Sequence, residues 1–143
     1  MPESEPPPEA GRAVPDGTPE TPRQGDRASA ISKAVVRVYA EYVGRGPTRA
    51  RTVISGNIVT VIAEDSLTKA EARLVVEGAS DTVVDLRRKF QGTMRGALTN
   101  AVEEVTGRNV VAFLSDHQAD PDYACEVFVL ESGEPGEPQP KRA

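Results

Sequence analysis

Cysteine and histidine are almost absent from this chain of 143 residues, which has one of each, Cys125 and His117. A lone cysteine cannot form a disulfide within the chain, so a disulfide scaffold is excluded and a reducing compartment is expected. Cys125 alternates with apolar neighbours, which predicts a buried thiol. A zinc site needs three or four ligands, and a catalytic thiol or hydroxyl needs a histidine beside it. We therefore expect no metal, no cofactor and no catalytic residue, and interpret the protein as not an enzyme.

Long apolar runs are also missing. The longest run is Val110-Val111-Ala112-Phe113-Leu114, far below the roughly 20 residues of a membrane-spanning helix. The first residues have neither the basic nor the apolar segment of a signal peptide. These absences predict a cytoplasmic protein with no transmembrane segment, at most peripheral at the inner face of the membrane.

Positive charge is scarce where a nucleic-acid binder would need it. The formal net charge is -5. Residues 28–130 hold 12 Lys and Arg against 13 Asp and Glu, a net charge of -1. A near-neutral domain lacks the basic surface expected of nucleic-acid recognition, so we expect no nucleic-acid partner.

Proline separates the ends of the chain from its middle. Of 12 prolines, seven lie in the first 22 residues and three at 135, 138 and 140. Segments so poor in large apolar side chains cannot bury enough surface to offset the entropy of ordering. Disordered tails are predicted at 1–27 and 131–143, around one folded domain at 28–130.

Within that domain, two β-hairpins are indicated by β-branched runs on either side of turn residues. The first is predicted at 49–55 and 58–64 around Gly56-Asn57, and the second at 109–116 and 123–130. Four strands in two hairpins are most simply packed as one antiparallel sheet with a hairpin at each edge.

Three helices are indicated by apolar spacing and capping residues. The first runs from near Ser29 to Gly44, a short one of about 69–77 follows the capping box Thr68-x-x-Glu71, and the longest extends from Ser80 or Asp81 to Gly107. The predicted apolar stripes are Ile31, Val35, Val38 and Tyr42 in the first helix, and Val83, Leu86, Phe90, Met94, Ala97, Ala101 and Val105 in the longest. The fold class is α+β, in the order α-β-β-α-α-β-β, with the helices on one face of the sheet.

Three arginines form the candidate binding site. Arg45 lies between Gly44 and Gly46, whose lack of a side chain would let another backbone approach. Arg49 and Arg51 project to one face of their strand. The cluster could contact a partner or a small anion such as phosphate or bicarbonate. The simpler interpretation of the same residues is a charged edge strand, by which a sheet avoids aggregation.

Taken together, several segments resemble the MpsC family, named for a sodium-translocating, membrane-potential-generating system. They are Gly44-Arg45-Gly46-Pro47, Leu67-Thr68-x-x-Glu71, and the strand from Gly107-Arg108-Asn109 to Ser115-Asp116, closing on Phe128-Val129-Leu130. The resemblance covers about residues 28–130 and implies no established reaction.

What the resemblance implies is a small accessory or regulatory protein that docks on a membrane transporter subunit for cation translocation or inorganic-carbon uptake. A homodimer that covers an exposed sheet or helix face is expected. The alternative is a stand-alone sensor domain that holds a small anion at Arg45, Arg49 and Arg51.

Overall fold

The structure, a computed structural model, describes residues 23–132. Its elements follow the predicted order and are α1 (Gln24–Val43), β1 (Arg49–Ser55), β2 (Ile58–Glu64), α2 (Lys69–Val76), α3 (Ser80–Thr106), β3 (Val110–Gln118) and β4 (Tyr123–Leu130). The α+β class and the antiparallel sheet of four strands are thereby confirmed.

The strands lie in the order β1-β2-β4-β3, so each hairpin occupies one edge and the two hairpins meet through β2 and β4. Every neighbouring pair is antiparallel. Arg51 pairs with Ile62, Ile62 with Cys125, and Cys125 with Asp116. Side chains at alternate positions of each strand therefore share one face of the sheet.

One face of the sheet is covered by α1 and α3, and the core lies between them. It consists of apolar side chains from α1, α3 and the sheet: Ile31, Val35, Val38, Val59, Val61, Met94, Leu98, Val102, Phe113 and Phe128. The short helix α2 packs beside α3. The other face of the sheet has no helix against it among the described residues.

The first helix begins earlier than predicted, at Gln24 rather than near Ser29. Gln24 Nε2 donates to the carbonyl of Ile54 at 2.8 Å, and Ser32 Oγ lies 2.7 Å from Thr52 Oγ1, so the first turns of α1 are tied to β1. These contacts between distant residues have no signature in local composition. Residues 24–27 are thus helical and do not belong to the predicted tail.

The opposite boundary also extends past the prediction. Glu131 is buried, and its backbone N–H donates to the carbonyl of Asn109 at 2.8 Å. The rest of the two predicted tails, 1–22 and 133–143, lies outside the described residues.

Two apolar stripes differ from the prediction. In α1 the buried aromatic side chain is Tyr39, and Tyr42 is exposed. In α3 the buried line is Val83, Arg87, Gln91, Met94, Leu98, Val102 and Thr106. The predicted stripe contained apolar residues only, so it omitted Arg87 and Gln91, which are polar but buried.

Candidate functional site

The loop that carries Arg45 is shaped by the glycines on either side. Gly44 ends α1 at φ 92°, a left-handed conformation that favours glycine. At Gly46, a Cβ atom would lie 2.9 Å from the carbonyl oxygen of Val36. The sequence led us to expect that another backbone approaches these glycines closely. At Gly46 the backbone that does so is that of α1 in the same chain.

Arg45, which precedes β1, is held by two acceptors in the segment that follows β2. Its Nη2 donates to Asp65 Oδ2 at 2.9 Å, and its Nη1 donates to the carbonyl of Leu67. Thr48 Oγ1 donates to the same carboxylate oxygen at 3.0 Å. The hydrogen bonds from Arg45 and Thr48 hold the pKa of Asp65 below its ordinary value.

The segment after Asp65 is fixed by Asp122 from the turn between β3 and β4. Asp122 Oδ2 accepts hydrogen bonds from the backbone N–H groups of Ser66 and Leu67, each at 2.8 Å. His117 Nε2 lies 3.1 Å from Asp122 Oδ1. Burial opposes the charged form of Asp122, but the contacts with His117 and the backbone outweigh it and keep its pKa low.

Beneath this segment lies a buried ion pair between α2 and α3. Arg87 Nε donates to Glu71 Oε2 and Arg87 Nη2 to Glu71 Oε1, both at 2.7 Å, the bidentate geometry of a strong pair. Arg87 Nη2 also donates to the carbonyl of Ser66 at 2.5 Å. Glu71 completes the predicted capping box with Thr68. Burial raises the pKa of Glu71, but the bonds from Arg87 and Thr68 outweigh this and lower it.

These contacts form a continuous set, which we call the polar network: Arg45, Thr48, Asp65, Ser66, Thr68, Glu71, Arg87, His117 and Asp122. Residues from α2, α3, the Arg45 loop and the second hairpin thus meet around the segment 65–68. The network holds these elements in one arrangement.

Above the network lies a groove of about 550 Å³. One wall is apolar and comes mainly from α2, and the rim carries both signs of charge. The lining residues include Ala72, Val75, Val76 and Ala119, with Arg45, Lys69, Asp65, Asp120 and Asp122. Val76 is 79% exposed, and Lys69 has no ion pair among residues 23–132.

The three predicted arginines do not form one cationic patch. Arg45 lines the groove, whereas Arg49 and Arg51 project from the uncovered face of β1. Arg49 Nε lies 3.7 Å from Glu64 Oε2, and Arg45 is paired with Asp65. Because two of the three charges face carboxylates, the positive potential expected of an anion site is reduced.

The arrangement around His117 differs from that of a hydrolase. Ser66 Oγ lies 3.4 Å from Asp122 Oδ1, so the carboxylate stands between the serine and the histidine. In a serine triad the histidine contacts the serine directly and the acid orients the histidine from behind. Within the described part of the chain, no group of three or more His, Cys, Asp and Glu residues could hold a metal ion.

A second buried polar contact joins α1 to the sheet. Tyr39 Oη donates to Glu126 Oε1 at 2.5 Å, and both side chains are buried. Burial raises the pKa of Glu126 to about 7, although the hydrogen bond from Tyr39 opposes this. The pKa of Tyr39 is also raised, first by burial and then by the charge of Glu126.

Sequence reasoning missed the roles of Arg87, Glu126 and Asp122. One signal was available for each of the first two. Arg87 lies four residues after Val83 and seven before Met94, so all three lie on the same side of α3. Glu126 lies two residues from Ala124 and two from Phe128, so it shares their inward-facing side of β4. An ionisable residue at a position where apolar residues recur indicates a buried polar contact, but the spacing does not identify the residue that makes it.

These observations define the class: a small α+β domain with a four-stranded antiparallel sheet covered on one face. Within residues 23–132, no helix has both the length and the hydrophobicity needed to span a membrane. The family described as Na+-translocating membrane potential-generating system (MpsC) matches residues 23–132. The chain belongs to the MpsC family, which links it to such a membrane system. No curated protein and no solved structure matches it.

Proposed function

We propose that this protein is a non-catalytic accessory or regulatory subunit of a Na+-translocating membrane system, acting from the cytoplasmic side. The observation that carries the proposal is the family match over residues 23–132, which spans the whole polar network and the groove. The family's description names a membrane system, and the proposal assigns this chain a docking role within it.

The groove beside Arg45 is the proposed docking site. The sequence segments that carry the family resemblance contribute Arg45, Leu67, Thr68 and Glu71, and these residues fix the position of α2. α2 in turn presents Val75 and Val76 to the groove. Rigid support beneath an exposed apolar wall lowers the entropy lost on binding, which favours docking.

The charge of the rim indicates the chemistry of the partner segment. Arg45 and Asp65 neutralise one another and Asp122 contacts His117, whereas Lys69 and Asp120 are exposed and without an ion pair among the described residues. The segment that fits is one with an apolar side chain for Val76 and a carboxylate for Lys69. We assign it to a cytoplasmic part of the membrane subunit.

The experiment is affinity purification of the tagged full chain from its own cells after gentle solubilisation of the membrane. Lys69→Glu is compared with Lys89→Glu, the same charge change on the exposed face of α3. A glutamate at the first position of α2 is compatible with the helix dipole, so the fold is preserved. The proposal predicts a polytopic membrane protein in the wild-type and Lys89→Glu eluates and its loss with Lys69→Glu.

Recovery of no membrane protein with any variant would contradict the proposal. Equal recovery with Lys69→Glu and Lys89→Glu would contradict the groove as the docking site. Thermal unfolding with bicarbonate or phosphate then tests the sensor alternative, because a ligand at 100 times its dissociation constant stabilises the folded protein by about 2.7 kcal/mol.

A further inference from the structure

The face of the sheet away from the helices, here called the open face, carries exposed apolar side chains on both of its edge strands. Antiparallel sheets with one face in water usually alternate apolar inward and polar outward residues. Here Val53 and Leu114 are 64% and 63% exposed. Patches of this kind mark interaction surfaces.

The strand register arranges the open face in four rows across the sheet, each read from β1 through β2 and β4 to β3. The rows are Ser55, Ile58, Val129, Ala112; then Val53, Thr60, Val127, Leu114; then Arg51, Ile62, Cys125, Asp116; and then Arg49, Glu64, Tyr123, Gln118. The first two rows contain no charge.

The third row carries opposite charges at its two ends. Arg51 lies on one edge strand and Asp116 on the other, with Ile62 and Cys125 between them. Arg51 has no ion pair among residues 23–132. The side chain of Asp116 is 72% exposed, and its Oδ1 accepts from the backbone N–H of His117 at 2.8 Å and lies 3.8 Å from Arg88 Nε, at the limit of an ion pair. Both contacts are made by Oδ1, which leaves Oδ2 open to a second cation.

This order of charges is self-complementary under one two-fold axis. An axis that runs along the strands between two facing sheets places β1 over β3 of a second copy and keeps every row opposite itself. Arg51 then faces Asp116 of the second copy, twice by symmetry, and Val53 faces Leu114. Aligned sheets cross by about 30°, a shift that an arginine side chain can span.

The other in-plane axis, perpendicular to the strands, gives a poorer match. It reverses the order of the rows, so the charged third row lies over the apolar second row. Asp116 would then face Leu114 and Arg51 would face Val53, which leaves buried charges without partners. Charge complementarity therefore selects both the occupant and its orientation.

We propose that the protein is a homodimer in which two open faces pack together about a two-fold axis along the strands, with Arg51 of each copy paired to Asp116 of the other. None of the residues that line the groove beside Arg45 belongs to the four rows, so the proposed interface leaves the groove free. The dimer is thus independent of the proposed docking function.

Charge exchange tests this arrangement. In analytical ultracentrifugation of the purified full chain, Arg51→Glu and Asp116→Arg should each raise the dimer dissociation constant by about tenfold or more, because each creates two like-charged pairs. The double variant Arg51→Glu/Asp116→Arg should return the constant to within about threefold of wild type. Arg37→Glu, an exposed charge reversal on α1, is the matched control and should have no effect.

Rescue by the double variant would establish the paired orientation, since neither a fold defect nor a loss of solubility is repaired by a second charge reversal. A wild-type protein that stays monomeric at all accessible concentrations would overturn the proposal. Single variants that weaken the dimer without rescue in the double variant would overturn the two-fold axis along the strands.

Discussion

The two faces of the sheet place charge and apolar surface in opposite ways. On the covered face, ionisable side chains such as Glu126 and His117 are buried, and each contacts a polar partner. On the open face, apolar side chains such as Val53 and Leu114 are exposed on the same two edge strands that carry the charges of Arg51 and Asp116. The difference indicates that the buried ionisable groups of one face fix the arrangement of the fold, and the proposed dimer would cover the exposed apolar surface of the other.

The largest effect is expected from breaking the buried pair on the covered side. Arg87→Met leaves Glu71 and the carbonyl of Ser66 buried without their donor, which should lower the free energy of unfolding by about 3–5 kcal/mol. Urea unfolding measures this loss. Arg88→Met, one residue further along α3 and exposed, should change stability by no more than about 0.5 kcal/mol. Equal losses in the two variants would refute the role given to Arg87.

A somewhat smaller effect, dependent on pH, is expected at Glu126. Its pKa is about 7 in the folded protein against an ordinary 4.5, so the folded protein keeps a proton that the unfolded chain releases. The stabilisation from this proton is complete below about pH 4.5 and is lost as pH rises through 7, by roughly 3 kcal/mol. Glu126→Gln should remove this part of the pH dependence.

The measurement is the urea midpoint from pH 4.5 to 8. Glu104→Gln, at an exposed position of α3, should retain the wild-type slope. A Glu126→Gln variant with the same slope as wild type would show that Glu126 does not bind the proton.

The smallest of the three stability effects is expected at the turn of the second hairpin. Asp122→Ala removes the acceptor of the Ser66 and Leu67 N–H groups and should cost about 1–3 kcal/mol at pH 7. Because the pKa of Asp122 is lowered, its contribution is present above its ordinary value of 3.8 and is lost as pH falls through the lower folded value. Thermal unfolding at pH 7 against Asp120→Ala, exposed in the same turn, isolates this term. Equal melting temperatures would contradict it.

The sequence predicted the regular elements well because their signals are local. The two-residue turn at Gly56-Asn57 placed β1 and β2 with correct bounds, and the capping box placed the start of α2. Each hairpin occupies one edge of the sheet, as the simplest pairing indicated, but the sequence did not predict that β2 and β4 are the strands that meet at the centre.

The candidate site was less predictable because its contacts join distant residues. Arg45 was identified as a site residue, but its partner Asp65 lies 20 residues away, and nothing in the sequence selects that carboxylate from the others. Arg87 and Glu126 were missed because charge was read as a sign of exposure. Cys125 is half-buried on the open face, whereas a buried thiol was predicted. The prediction was wrong because the alternation in β4 does not by itself show which side of the strand the helices cover.

Cys125 offers the most direct test of the difference between the two faces. It is the chain's only cysteine and lies in the third row of the open face, between Ile62 and Asp116. The measurement is its rate of reaction with a thiol reagent over a range of protein concentrations. If the open faces pair, the rate falls as the protein concentration rises, this fall disappears in Arg51→Glu, and it returns in Arg51→Glu/Asp116→Arg. A rate independent of concentration in the wild-type protein would contradict this pairing.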